Sequence, residues 1–84
     1  MNRTIKCIFL DSTTIIVSEI VEVDAELGDP NCKLINPYLY DDDENLKQWP
    51  DVTFQNEIMI RSDSILTIVD PKPTLLEKYI ELTA

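Results

Sequence analysis

The sequence has no histidine, two cysteines and a single glycine among its 84 residues. Without histidine, Ser-His and Cys-His catalytic pairs are excluded and the commonest zinc ligand is missing. Cys7 and Cys32 are far apart in the chain, so neither has a second cysteine at metal-ligand spacing. The sequence therefore predicts no catalytic residue, no metal site and no cofactor, and we expect a protein that is not an enzyme.

Basic residues are scarce, because 7 Lys+Arg stand against 16 Asp+Glu and give a net charge of -9. This charge repels a phosphate backbone at long range, so any binding of nucleic acid must come from a local site. A chain of this length forms one core of modest size, which favours self-association.

Long apolar runs are also missing, and no secretory apolar segment opens the chain. We therefore expect no membrane partner and a cytoplasmic location. Cys7 and Cys32 lie in apolar, strand-like runs, which favours buried thiols, although the sequence leaves open a disulfide between them.

The N-terminal half has the pattern of three β-strands. Residues 4–10 and 15–23 are rich in Ile, Val, Thr and Phe and flank an Asp-Ser-Thr turn, which predicts a hairpin. A turn around Gly28 precedes a third strand at residues 32–40. Because Pro37 has no backbone N–H, we expect that strand to bulge there or to turn this nitrogen out of the sheet.

The C-terminal half predicts two more strands and one helix. Residues 52–60 alternate as a fourth strand, with Val52, Phe54, Ile58 and Ile60 on its buried face, and residues 64–69 form a fifth. Residues 74–83 have an apolar stripe at helical spacing, and Thr74 and Glu77 have the spacing of a capping box. So short a helix must dock on the rest of the domain or on a neighbouring subunit.

Two groups of residues have both an ordinary and a functional interpretation. The acidic run at residues 41–44 begins a solvated loop that extends to about Pro50, with a weak divalent-ion site or a carboxylate-metal nuclease centre in the acidic run as less favoured alternatives. Trp49, Tyr38 and Tyr40 suit a core or an interface, and the alternative is stacking on bases.

Two segments resemble the motifs of the Sm/LSm family of small RNA-binding barrels. In the family's second motif an apolar residue precedes Arg-Gly, two small polar residues and an apolar strand, and residues 60–66, Ile-Arg-Ser-Asp-Ser-Ile-Leu, follow this order with Ser62 in place of glycine. The first motif is matched in spacing by a bent strand that ends in an aspartate: Ile16, Ser18, Ile20, Val23 and Asp24. Taken whole, the chain also resembles small Sm-like proteins of marine cyanophages.

The resemblance implies an all-β fold: a five-stranded, SH3-like small barrel at residues 4–70 and a short C-terminal helix at residues 74–83, in a single domain of residues 1–84. By the same resemblance, Asp24, Asn31 and the turn of Arg61, Ser62 and Asp63 form a site that binds single-stranded RNA or DNA. For a phage-encoded protein, the location would be the host cytoplasm.

The family also forms rings in which strand four of one subunit pairs with strand five of the next. Residues 52–60 and 64–69 would be apolar open edges with few guarding charges, so we expect a homo-oligomeric ring. A monomer in which the C-terminal helix covers an edge is the alternative.

The sequence thus supports two functional hypotheses. The first is a ring-forming Sm-like protein with a role in nucleic-acid processing. The second is an acidic protein-interaction or scaffold module with a decayed RNA site, which is favoured by the charge and by the lack of an aromatic residue in residues 25–30.

Overall fold

A computed structural model describes residues 3–42 and 45–84 of the chain. The described chain is mostly β, with one C-terminal helix. Its strands are β1 Ile5–Phe9, β2 Ile15–Glu22, β3 Cys32–Asp42, β4 Asn45–Gln48, β5 Glu57–Ile60 and β6 Thr67–Val69, followed by helix α1, Pro73–Thr83.

The strands form one open antiparallel sheet in the order β4-β3-β2-β1-β6. The long strand β3 pairs with β2 along one side, and its other side is shared: Cys32 to Ile35 pair with β5, and Tyr38 to Asp42 pair with β4. The predicted hairpin of β1 and β2 is confirmed, with Ile5 opposite Glu19 and Phe9 opposite Ile15.

The predicted bulge at Pro37 is confirmed. The pairing of β2 with β3 shifts register between Val17 and Glu19, where two residues of β3, Asn36 and Pro37, lie opposite the single Ser18 of β2. Asn36 has a φ of 53°, in the left-handed region that asparagine tolerates better than most residues. The strand therefore bends beside Ser18, which is fully buried.

The prediction from the sequence was wrong at residues 45–48 and at residues 52–56. Residues 45–48 form strand β4 rather than a solvated loop, so the described chain has six strands and not five. The fourth strand of the prediction is also shorter, because only Glu57–Ile60 joins the sheet, and Val52 and Phe54 are 87% and 97% exposed. The two predicted edge strands are therefore both shorter in the structure: β5, Glu57–Ile60, replaces residues 52–60, and β6, Thr67–Val69, replaces residues 64–69.

Each face of the sheet has its own apolar cluster. On one face, Leu75 and Tyr79 of α1 pack against Cys7 and Val17. The other cluster has Ile8, Ile16 and Leu34 at its centre, and the side chains that pack around it include Trp49, Ile58, Ile60 and Ile65. The C-terminal helix therefore covers a face of the sheet.

The start of the helix differs from the predicted capping box. The N-cap is Lys72, whose side chain makes no capping hydrogen bond, and Thr74 lies inside the first turn. Pro73 occupies the first helical position, where its fixed φ is favourable and its missing N–H has no consequence. This proline, rather than Thr74, sets the boundary.

Candidate functional site: a loop pocket beside the Arg61 turn

The loop between β2 and β3 is closed at its base by backbone hydrogen bonds. The N–H of Val23 donates to the carbonyl oxygen of Asn31 at 3.0 Å, and the N–H of Asn31 donates to that of Ile60 at 3.2 Å. Within the loop, Gly28 has a φ of 91°, which most L-residues adopt only with strain. The single glycine of the chain therefore shapes this loop, and Asn31 ties it to the end of β5.

The Arg61 turn lies directly against this loop. Residues Ser62–Ser64 form a short 3-10 helix between β5 and β6, and Arg61 before it is extended. Among the described residues, only Asn36 and Gly28 have a positive φ. Ser62, which stands where the resemblance would place a glycine, therefore has no left-handed backbone, because the turn is built as a 3-10 helix.

Asn31 and Ser62 join the two segments through a pair of hydrogen bonds. The amide Nδ2 of Asn31 donates to Oγ of Ser62 at 3.0 Å, and the backbone N–H of Ser62 donates to Oδ1 of Asn31 at 2.8 Å. Since one planar side chain satisfies both a hydroxyl and a backbone amide, the position of the turn relative to the loop is fixed.

Arg61 and Asp63 form an ion pair across the same turn, with 2.6 Å between Nη2 and Oδ2. The two side chains are 52% and 65% exposed, so water screens the pair and it contributes little to stability. The guanidinium group has five N–H donors, of which this contact engages a part, and it stays accessible to a ligand.

The loop and the turn enclose a pocket of about 410 Å³, which we call the loop pocket. It is lined by residues 25–29, Asn31 and residues 61–63. Four of the five predicted site residues are therefore brought together: Asn31, Arg61, Ser62 and Asp63. Asp24 lies instead in an adjoining shallow depression with Pro30 and Met59.

This geometry accompanies a match to a known family. The chain matches the sequence profile of DUF6561, a family of unknown function, over residues 3–84. It belongs to the DUF6561 family. No curated protein matches the chain.

The loop pocket of this DUF6561 chain is acidic, which the sequence reasoning missed. Arg61 is the one cationic side chain in its lining, whereas Glu26, Asp29 and Asp63 each contribute a carboxylate. Leu27, at the tip of the loop, is fully exposed. The Gly-Asp-Pro turn pointed to a loop here, but only the fold shows that the loop folds over the Arg61 turn.

The structure describes only Asp41 and Asp42 of the acidic run. A carboxylate oxygen of Asp42 accepts a hydrogen bond from the backbone N–H of Asn45 at 2.9 Å, which links the end of β3 to the start of β4. Asp41 is exposed, while Asp43 and Glu44 lie outside the described residues. Within residues 3–42 and 45–84, no group of three or more Cys, Asp or Glu side chains is arranged to hold a metal ion.

The remaining candidate side chains have structural contacts. Tyr38 packs edge-to-face against Tyr79, with ring centroids 6.0 Å apart. Tyr40 packs against the same cluster, and Trp49 packs against the opposite one. Cys7 and Cys32 are buried free thiols, and burial raises the pKa of both.

The described part of this family member has no helix of sufficient length and apolarity to cross a membrane.

Proposed function

We propose that this chain is a ring-forming Sm-like protein that binds single-stranded RNA or DNA at the loop pocket and serves in nucleic-acid processing. Asn31, Arg61, Ser62 and Asp63 would form the site, and Asp24 would border it. We further propose that it acts in the cytoplasm, which is the host cytoplasm if the gene belongs to a phage.

The observation that carries this proposal is the double hydrogen bond between Asn31 and Ser62. The Sm/LSm resemblance assigns base recognition jointly to an asparagine after strand two and to an arginine turn before the last strand. In this chain those two segments contact each other although they are 31 residues apart in sequence. A guanidinium group beside a planar amide suits stacking on a base and hydrogen bonding to its edge.

The strand arrangement is compatible with an Sm-like barrel. Without the hairpin strand β4, five strands remain: β1, β2, β3, β5 and β6. The Arg61 turn lies between the last two of them, as the resemblance requires. On the face of the sheet that α1 leaves uncovered, Ile58, Ile60 and Ile65 pack against the cluster of Ile8, Ile16 and Leu34, which supports a sheet that curves around this cluster.

The ring is supported by two edges that are open within the described chain. There, β5 pairs with β3 and β6 pairs with β1, so each strand has one unpaired side. Apolar side chains accompany both edges, namely Met59 on β5 and Leu66, Ile68 and Val69 on or beside β6. Open apolar edges aggregate unless another chain pairs with them. Pairing β5 of one copy with β6 of the next would close both of these edges and would repeat Arg61 around an annulus.

A second function is favoured by the acidity of the loop pocket. Glu26, Asp29 and Asp63 outnumber Arg61, which is already paired with Asp63. An acidic protein-interaction or scaffold module would use the same surface, but it would bind a positively charged partner instead of negatively charged nucleic acid. The two functions therefore predict opposite effects when a carboxylate of the pocket is neutralised.

The test is fluorescence anisotropy of labelled oligo-U, oligo-A and single-stranded DNA near physiological salt, with the solution mass measured in parallel by light scattering. We expect saturable binding by a ring, and loss of binding in Arg61→Ala without loss of the ring. Lys78→Ala on α1 is the matched control, because it removes the same charge away from the pocket. Equal weakening by both variants, or no binding by an intact ring, would leave the interaction module as the better account.

A further inference from the structure

A second pocket lies at the opposite end of the sheet from the loop pocket. It has a volume of about 530 Å³ and lies where the β1–β2 turn approaches β3 and β4. Strand β2 separates the two ends, and its eight residues span roughly 25 Å. We call it the Trp49 pocket. Because of this distance, it is a separate feature and does not depend on the proposed nucleic-acid site.

An aromatic side chain forms part of its wall. Trp49 packs against the cluster of Ile8, Ile16 and Leu34 and also lines the pocket. It is half-buried, so part of its surface stays accessible to a ligand. Tyr40 lines the pocket as well, but its side chain packs on the other face of the sheet, against the cluster that includes Tyr79. Trp49 is therefore the aromatic residue on which a ligand would lie.

Polar side chains form another part of its lining. The side chains of Asp41, Lys47, Gln48 and Asp51 are exposed and make no hydrogen bond or ion pair with any other described side chain or backbone group. Their donors and acceptors are therefore accessible to a ligand. A pocket that combines an aromatic side chain with a few polar groups is typical of a ligand site.

The chemistry of these groups selects among ligand classes. Two carboxylates against one amine, in a chain of net charge -9, disfavour an anion such as a nucleotide phosphate. The ammonium group of Lys47 disfavours an organic cation, and an apolar ligand would leave four polar groups without partners. Hydroxyl groups both donate and accept, so they satisfy Asp41, Asp51, Lys47 and Gln48 together.

We propose that the Trp49 pocket binds a neutral saccharide. Its hydroxyl groups would donate to the carboxylates of Asp41 and Asp51 and accept from Lys47 and Gln48. The C–H face of its ring would lie against the indole of Trp49. A pocket of about 530 Å³ accommodates one or two sugar rings.

The test uses the fluorescence of Trp49, which is the single tryptophan of the chain and therefore reports on this pocket alone. The full chain is titrated with a panel of methyl glycosides, disaccharides and trisaccharides of neutral hexoses and N-acetylhexosamines. AMP and argininamide serve as the anionic and cationic comparators. We expect a saturable change with at least one neutral saccharide in the millimolar range or below, and none with either comparator.

Two variants locate the binding. Asp51→Asn is expected to weaken saccharide binding about tenfold. If this variant fails to fold, Gln48→Ala takes its place. Glu81→Gln removes the same charge on α1, outside both pockets, and is expected to leave the affinity unchanged. The proposal is overturned if no neutral saccharide changes the fluorescence, if only AMP or argininamide does so, or if Glu81→Gln weakens binding as much as Asp51→Asn.

Discussion

Asn31 holds Ser62 through two hydrogen bonds, of 3.0 Å to its hydroxyl and 2.8 Å from its backbone N–H. One side chain thereby connects the loop after β2 to the turn before β6. Because the backbone of Asn31 also donates to the carbonyl oxygen of Ile60, the loop, β5 and the turn meet at this residue. The geometry of the loop pocket depends on Asn31 more than on any other side chain in it.

Replacing Asn31 with alanine is expected to weaken nucleic-acid binding by about tenfold while the solution mass stays that of the ring. The change removes both hydrogen bonds to Ser62, each worth about 1 kcal/mol, and releases the turn that presents Arg61. Anisotropy titration measures the affinity. Asn56→Ala, an exposed asparagine outside the pocket, is the control, and a similar loss in both variants would show that Asn31 has no special role.

Neutralising Asp63 separates the two proposed functions. Asp63→Asn removes the ion pair that competes with a ligand for Arg61, so we expect single-stranded nucleic acid to bind up to about fivefold more tightly. A basic peptide bound by an acidic module would instead bind more weakly. Both affinities are measured by anisotropy, with Glu81→Gln on α1 as the matched charge control. Tighter peptide binding together with weaker nucleic-acid binding would contradict both accounts.

A charge on either open edge is expected to break the ring. Ile68→Lys on β6 and Met59→Lys on β5 each introduce an ammonium group at an edge strand. Both residues are 43% exposed in the single chain. Light scattering should report a fall to the mass of a monomer for each variant, while circular dichroism stays unchanged. The control is Val52→Lys, on an exposed position outside both strands. An unchanged mass for both edge variants would exclude these edges as the interface.

The pattern of residues predicts the N-terminal hairpin, the bulge and the C-terminal helix because each depends on local chemistry: β-branched runs, a proline and an apolar stripe. It fails at residues 52–56, where alternation continues although the backbone has left the sheet. Strand β4 was missed for the converse reason, since Leu46 is its only apolar residue and its pairing comes from the neighbouring β3.

Part of the loop pocket could be predicted from the sequence, and part of it could not. The Arg61 turn and Asn31 were found through a resemblance, whereas the carboxylates of Glu26 and Asp29 enter the pocket only because the loop folds over the turn. The sequence pattern around Tyr79 does not predict that its hydroxyl binds the backbone of the bulge. Its hydroxyl accepts from the N–H of Glu19 at 3.0 Å and donates toward the carbonyl oxygens of Ile35 and Asn36, so a helix residue satisfies the backbone of a bulge 43 residues earlier.

Tyr79→Phe is accordingly expected to lower the free energy of unfolding by about 1–3 kcal/mol. The ring would still fill the core, but the N–H of Glu19 would lose its partner in a half-buried position. Urea denaturation measures the change, and Ile80→Ala, on the exposed side of the same helix, is the control. A loss no larger than that of the control would mean that water replaces the hydroxyl at the bulge.

The two thiols give a prediction for alkaline pH. Burial, and next the negative charge of Asp70, raise the pKa of Cys7, while burial and Glu22 raise that of Cys32. A pKa that is higher in the folded state contributes stability at neutral pH, and this contribution is lost as pH rises above about 8.5 through the folded-state pKa. We expect slow reaction with a thiol reagent at pH 7 and fast reaction after unfolding. Cys7→Ala should flatten the loss of stability at high pH, and rapid labelling of both thiols in the folded chain would contradict this assignment.

The binding site of a single-stranded oligonucleotide can be mapped most directly from amide chemical shifts, in a titration of the isotope-labelled protein with oligo-U. We expect the shift changes to concentrate in residues 24–31 and 61–63, with that of the Ser62 amide among the largest, and we expect Arg61→Ala to remove them. Shifts concentrated elsewhere, or none at concentrations that saturate the anisotropy signal, would contradict the assignment of the loop pocket as the nucleic-acid site.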